Sequence, residues 1–319
     1  MAAPSRFNLI LSRWGADTLM DMPHADFTAA LARVHRAGEL RQAMWSCAAE
    51  HLKDHPVELW FDDRCDEVRV MASATAEFPM EISILFGEWL YNLRTALDSL
   101  LYELAVEDTG QDPPTGAGNR KYPIIAEPNR FAEATKRSLA GLTDWSRKFI
   151  EDTQPYHSTG GANGSALWWL DELAKIDRHR RHHAVAWRVV ELDIRPSPEL
   201  FVQSATRMCD ERATFLGQGL EVELAAFQKI SGPRCVSQGH AMDVGRRIEF
   251  DIPDWVRRAH PGLVADVRTD DRMRTVEIVV GDTITALRDR LPTRPPANGP
   301  LKRIPAVPGG PTGPTSEDQ

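Results

Sequence analysis

Apolar residues recur at two periods along this chain, and each change of period marks a change of element. From Asp26, a residue type suited to a helix N-terminus, Leu31, Val34, Met44, Cys47, Ala48 and Leu52 recur at helical spacing, weakened only at Gly38. Upstream, residues 7–11 form a short apolar run that suits a strand. Between residues 57 and 76 the period falls to two. Val57, Leu59 and Phe61 alternate, Asp62, Asp63 and Arg64 make a polar turn, and Val68, Val70 and Ala72 alternate again, predicting a β-hairpin. Pro79 then opens a second long helix over about residues 80–106. Its stripe, from Ile82 through Phe86, Trp89, Leu93 and Leu97 to Leu104, is wide enough to require burial.

The helical signal weakens over residues 131–150, after a Gly/Pro loop at 112–119 and a short extended piece at 122–125. A flexible loop carrying Tyr156 and His157 precedes the most informative stretch, residues 168–190, which reads as one amphipathic helix centred on Leu170. After Pro196 the character turns to β, with strands expected at 200–202, 213–216, 220–227 and 247–252. Asp270 begins a final helix in which Met273, Val276, Val280, Ile284, Leu287 and Leu291 lie three and four apart. From Pro292 onward, eight prolines and four glycines in 28 residues predict a disordered tail. The expected class is α+β: a mainly helical core, with an antiparallel β-sheet contributed by the 57–76 hairpin and the C-terminal half. The expected units are a helical domain at 1–195 holding the hairpin, a β-rich region with a docking helix at 196–291, and the tail at 292–319.

Composition adds exclusions. With 42% apolar residues in 319, the core can be large, no apolar run is long enough to cross a membrane, and no secretory signal is expected. Cys47, Cys65, Cys209 and Cys235 make no CxxC pair and suit the ordinary thiols of a cytoplasmic protein, with no metal or cofactor implied. A net charge of −8 argues against a protein that coats DNA but leaves room for a local basic patch. The phosphate-loop, dinucleotide-binding and nucleophile-elbow patterns do not occur.

The candidate chemistry lies where charge interrupts an apolar face. On an ideal helix, Asp177 and Arg181 fall close to the Leu170 line, and Arg94 and Asp98 lie on one shoulder of the second helix beside Tyr91 and Gly87. Charges aimed at a core need partners. The expected result is a four-residue polar cluster pairing Arg94 with Asp177 and Asp98 with Arg181. The rest of the basic run, Arg178, His179, Arg180, His182 and His183, would then face outward, ready for RNA or another polyanion. His51 and His55 are four apart and are expected on solvated surface.

The segments YNLRTALDSLLYELA, from Tyr91 to Ala105, and KIDRHR, from Lys175 to Arg180, resemble two signature helices of a widespread group of bacterial proteins without assigned function. The first is also similar to the Arg-x4-6-His motif of HEPN domains, helical dimers that are often RNases or nucleotide-binding partners of toxins. The resemblance covers residues 80–190. It implies a HEPN-like helical homodimer, and a binding or regulatory role linked to nucleic acid or to toxin and defence systems, with RNA, another polyanion or a protein as partner. Ser99 stands where the HEPN-like pattern has its histidine, and a hydroxyl cannot act as a general base near neutral pH as imidazole can. That departure favours binding over catalysis. The alternative is a metal-independent RNase in which Arg94 stabilises phosphate and a histidine of the 178–183 run, His179 first among them, moves the proton. A divalent-metal hydrolase using Asp98, Asp177 and His179 has the right residue types but no diagnostic spacing.

Overall fold

The computed structural model describes residues 25–64, 66–179, 181–196, 202–209, 214–229, 242–259 and 267–291. The strand expected at 7–11, the tail from Pro292, and Arg180 lie outside them. Helix α1 (Thr28–Asp54) begins where the Asp26 carboxylate accepts the Thr28 amide at 2.9 Å, and it turns Ala30, Ala37, Leu40, Met44 and Ala48 inward. The hairpin follows as β1 (Val57–Asp63) and β2 (Glu67–Ala74), paired antiparallel with Val57 opposite Ala74. Val68, Val70, Ala72 and Ala74 of β2 are all buried, so the period of two is the period of the core face.

Helix α2 (Met80–Thr109) starts after Pro79 and stops at Gly110, whose φ of 65° suits a residue without Cβ. It buries Ile82, Phe86, Trp89, Leu90, Leu93 and Leu97 completely or nearly so. At roughly 1.5–3 kcal/mol for each large apolar side chain taken from water, this makes α2 the axis of the core. The weak helical stretch divides into α3 (Phe131–Arg137) and α4 (Asp144–Asp152), because Gly141 adopts a φ of 81° and Thr143 caps the second helix on the Ser146 amide.

Helix α5 (Ala166–His179) is shorter than its sequence pattern suggests. Instead of continuing to residue 190, the chain leaves the helix and forms β3 (Ala186–Pro196). Two causes are visible. His183 is drawn inward to hydrogen-bond the Leu173 carbonyl at 2.9 Å, which turns the chain back along the helix end. Beyond it, Val185, Trp187 and Val189 alternate and pack on the core, a strand signal that the preceding helical period obscures.

The remaining strands are β4 (Val202–Met208), β5 (Phe215–Leu216), β6 (Val222–Lys229) and β7 (Met242–Asp251). They form two antiparallel sheets rather than one, with orders β1-β2-β6-β4 and β5-β3-β7. The hairpin thus joins a sheet completed by the C-terminal half, Val68 lying opposite Phe227. A short helix α6 (Pro253–Arg258) leads to α7 (Thr269–Arg290), whose buried Met273, Val276, Val280, Ile284 and Leu287 pack toward α1, α2 and α5. Trp89 Nε1 and Arg41 reach Glu277 of α7 at 2.9 and 3.0 Å, and Trp45 Nε1 reaches Asp270 at 2.7 Å, so polar ties run through the helical layer. The buried side chains of both halves form one contiguous cluster. Among the described residues no helix is long and apolar enough to cross a membrane.

Candidate functional site

Arg94 projects from α2 toward α5 and is only 6% exposed. Its Nη2 donates to the Tyr122 carbonyl at 3.2 Å and lies 3.6 Å from Asp98 Oδ1, while Nε lies 3.8 Å from Asp171 Oδ1. Asp98 in turn accepts the Tyr122 amide at 2.8 Å. The segment that carries Tyr122 is therefore clamped onto α2 by one arginine and one carboxylate. Gln154 clamps its far side, accepting from the Ile125 amide at 2.9 Å and donating to the Pro123 and Ile150 carbonyls at 3.1 and 2.8 Å. Burial pushes the Tyr122 hydroxyl up to about 12, so it stays a neutral partner of Thr153 at 2.6 Å.

These clamps shape a cleft of about 290 Å³ between α3 and α5. Ile124, Ile125 and Trp168 give it apolar walls, and Asp171, Glu172 and Lys175 line the α5 side. Asp171 holds Lys175 Nζ at 2.7 Å, Glu172 holds it at 2.9 Å, and Arg258 approaches Glu172 at 3.6 Å. Burial works against the Lys175 ammonium, but the two carboxylates outweigh it and raise its pKa. The α5 side is thus internally compensated. The α3 side is not: Arg130, Glu133 and Arg137 line the cleft at helical spacing, yet they form no ion pair with one another or with the α5 side.

The expected four-residue cluster is half present. Arg94 and Asp98 belong to it, but Asp171 takes the place expected for Asp177, and Arg181 is absent. Because α5 ends at His179, Arg181 is not on the helix at all and its side chain is exposed. Asp177 sits against Gly87 of α2 and pairs instead with His182 Nδ1 at 3.5 Å. A Cβ at residue 87 would lie 2.9 Å from both Asp177 carboxylate oxygens, so glycine is what lets the end of α5 approach α2 this closely.

The basic run is also redistributed. His183, expected on the surface, is 1% exposed, with Nδ1 3.2 Å from Asp254 and its ring edge-on to Phe86 at 5.2 Å. It is a buried tie between α5 and α6, so it cannot meet a partner. Arg178, His179, Arg181 and His182 remain exposed at the end of α5. His51, expected in solvent, is buried beside Phe78 and Trp187. Asp98, Asp177 and His179 are not brought together, and among the described residues no group of three or more histidine, cysteine or acidic side chains is placed to hold a metal ion.

One feature of the surface charge sets α3 and the end of α5 apart. Most exposed arginines pair with a carboxylate, as Arg36 does with Glu39, Arg195 with Asp193 and Arg207 with Glu223. Among the described residues, the exposed arginines with no carboxylate partner are Arg130, Arg137, Arg178 and Arg181. The first two were missed in the sequence, although Arg130-x-x-Glu133-x-x-x-Arg137 carries the spacing of one helical face. No protein-family model matches the chain, and neither a curated protein nor a solved structure is significantly similar to it.

Proposed function

We propose that the chain is a binding or regulatory protein of HEPN-like helical architecture, and that its partner is RNA or a similar polyanion held by the face of α3 and the end of α5. The observation that carries this reading is the set of four exposed arginines without a carboxylate partner, in a chain of net charge −8 whose other surface arginines are mostly paired. An arginine with no carboxylate partner meets a phosphate without first breaking an ion pair, and Arg178, whose Nε donates to the Ala174 carbonyl at 3.2 Å, keeps its terminal N–H groups for it. His179 and His182 lie in the same exposed segment, and their ring N–H groups can donate to the same partner.

Burial of Arg94 supports binding over catalysis. Its guanidinium is occupied with the Tyr122 carbonyl, Asp98 and Asp171, and a group so enclosed does not reach the phosphate of a bound strand. Ser99 in place of the HEPN-like histidine points the same way.

The test is fluorescence anisotropy on single-stranded RNA across a salt series. Binding should weaken steeply from low to moderate salt. Replacing Arg130, Arg137, Arg178 and Arg181 together by alanine should weaken it and lower the salt slope by about 3–4, near 0.7–0.9 for each phosphate left unneutralised. No binding at low salt and pH 6 would end the polyanion reading. Cleavage that disappears in both Arg94→Ala and His179→Ala would replace it with the RNase alternative.

A further inference from the structure

The cleft between α3 and α5 is lined by three positive side chains, Arg130, Arg137 and Lys175, and by three negative ones, Glu133, Asp171 and Glu172. Their charges cancel, so the interior offers a phosphate no net attraction. A neutral group that both donates and accepts hydrogen bonds meets partners of both kinds there. At about 290 Å³ the cleft lies at the small end of ligand pockets, which begin near about 300 Å³.

Trp168 forms one apolar wall. Other tryptophans of the chain pack on rings: Trp89 and Trp169 both contact Trp255, Trp45 contacts Phe250, and Trp187 contacts Phe78. Among the described residues Trp168 contacts no aromatic ring, and its half-buried indole lines the cleft instead. An indole left without a ring partner beside unpaired arginines is what a flat base can stack on, because every base has a π-face.

We infer that the RNA proposed as partner inserts one unpaired base into this cleft, a base with an exocyclic amino group, while Arg130 and Arg137 hold phosphates beside it; this rests on the polyanion reading of the same face. The α5 wall supplies the selection. Glu172, whose side chain is 25% exposed against 11% for Asp171, accepts from the amino group. Lys175 gives two of its three N–H groups to these carboxylates and keeps the third for the acceptor nitrogen next to that amino group. Cytosine and adenine present such a pair, whereas uracil turns a carbonyl oxygen toward Glu172 where cytosine has its amino group. A base paired inside a duplex cannot enter, so the strand must be single. The same face of α5 leads onward: at 100° per residue His179 lies about 20° from Trp168, and at 1.5 Å per residue about 16 Å further along the axis. A strand with one base in the cleft thus runs on toward Arg178 and Arg181.

The experiment uses the full chain and fluorescein-labelled octamers of cytidine and of uridine, which carry equally many phosphates and rings of one size, at neutral pH and low salt. The cytidine octamer should bind at least about fivefold more tightly. Glu172→Gln, whose amide can also donate to a carbonyl, should shrink that ratio below about twofold. Trp168→Leu should weaken binding of the cytidine octamer about five- to a hundredfold with the salt slope unchanged, and Trp168→Phe should restore most of the loss. Free cytidine monophosphate, with one phosphate, should displace the octamer only at far higher concentration. Equal affinity for the two octamers, full binding by Trp168→Leu, or a defect that Trp168→Phe does not restore would overturn the inference and leave the polyanion reading standing. No binding of either octamer would remove both. Displacement by cytidine monophosphate at the concentration of the octamer itself would overturn the inserted strand and make a free nucleotide the occupant.

Discussion

Two buried arginine clusters in this protein differ in how tightly they are closed. At the junction of β3, β7 and α7, Asp251 is fully buried, and both of its oxygens are taken, one by Arg188 Nε at 2.9 Å and the other by Arg272 Nη2 at 2.5 Å. Arg272 also donates to Thr269 at 2.9 Å and lies 4.9 Å over the Trp255 ring. Between α2 and α5, Arg94 lies 3.6 Å from Asp98 and 3.8 Å from Asp171, longer than either arginine contact to Asp251. Asp171 lines a cleft and shares its charge with Lys175, which is half-exposed. The first cluster is a dry junction between layers. The second borders a surface cleft, through Asp171. Burial of an arginine alone therefore says little about function; the exposure of the carboxylates around it says more.

The largest expected effect comes from breaking the dry cluster. Asp251→Ala removes the carboxylate that both Arg188 and Arg272 contact and should cost about 3–5 kcal/mol in a urea unfolding curve. A loss under about 1 kcal/mol would show that the two clusters are not different in kind. Asp171→Ala should cost less, about 1–3 kcal/mol, since Arg94 keeps the Tyr122 carbonyl and Asp98, and solvent can enter from the cleft. If it cost as much as Asp251→Ala, the open character of the second cluster would be refuted.

Acid should act outside both clusters, at His51. Burial, with the neighbouring His55 adding to it, lowers the His51 pKa below its usual value of about 6.5. The unfolded chain therefore binds that proton more readily than the folded one, and stability is lost as pH falls below about 6.5. His51→Phe, which keeps the ring beside Phe78 and Trp187, should flatten the fall between pH 7 and 5 in thermal melts. An unchanged slope would assign the acid sensitivity to another group.

The smallest effect separates the two ends of α5. Gly87→Ala gains up to about 1 kcal/mol of helix preference but pushes its new Cβ against Asp177, so in the wild-type background it should be close to neutral. In an Asp177→Ala background the same change should stabilise by about 0.5–1 kcal/mol. Additivity of the two changes in a double-mutant cycle would mean that the close approach costs nothing.

Elements with one unbroken period were legible in the sequence. α1, α2, α7 and the hairpin all fall where the spacing of Leu, Val, Ile and Phe puts them, because one apolar period runs through each, even where Arg41, Arg94 or Arg272 is buried beside it. Reading failed where a period changed without a glycine or proline to mark it. The run from Arg178 to Val185 has no breaker, and what ends α5 is a tertiary contact, His183 reaching Leu173 and Asp254, which no local pattern encodes. The error carried into the site. Extending α5 as a helix put Arg181 inside, whereas the true inner partner of Arg94, Asp171, lies at about 100° from Leu170 and reads as a flank. Arg130 and Arg137 were legible as a spacing but not as a surface, because only the fold shows that no carboxylate comes to meet them.

The pairing of β2 with β6 has a consequence for how the protein is made. The hairpin emerges from the ribosome with the far edge of β2 unpaired, and its partner strand is synthesised only when residues 222–229 appear. At ordinary translation rates that is on the order of ten seconds later. A two-stranded ribbon is marginal by itself, and its open edge is a template for the wrong partner. A chain cut short before residue 229 would thus fail at its beginning rather than its end, the N-terminal hairpin becoming the sticky part.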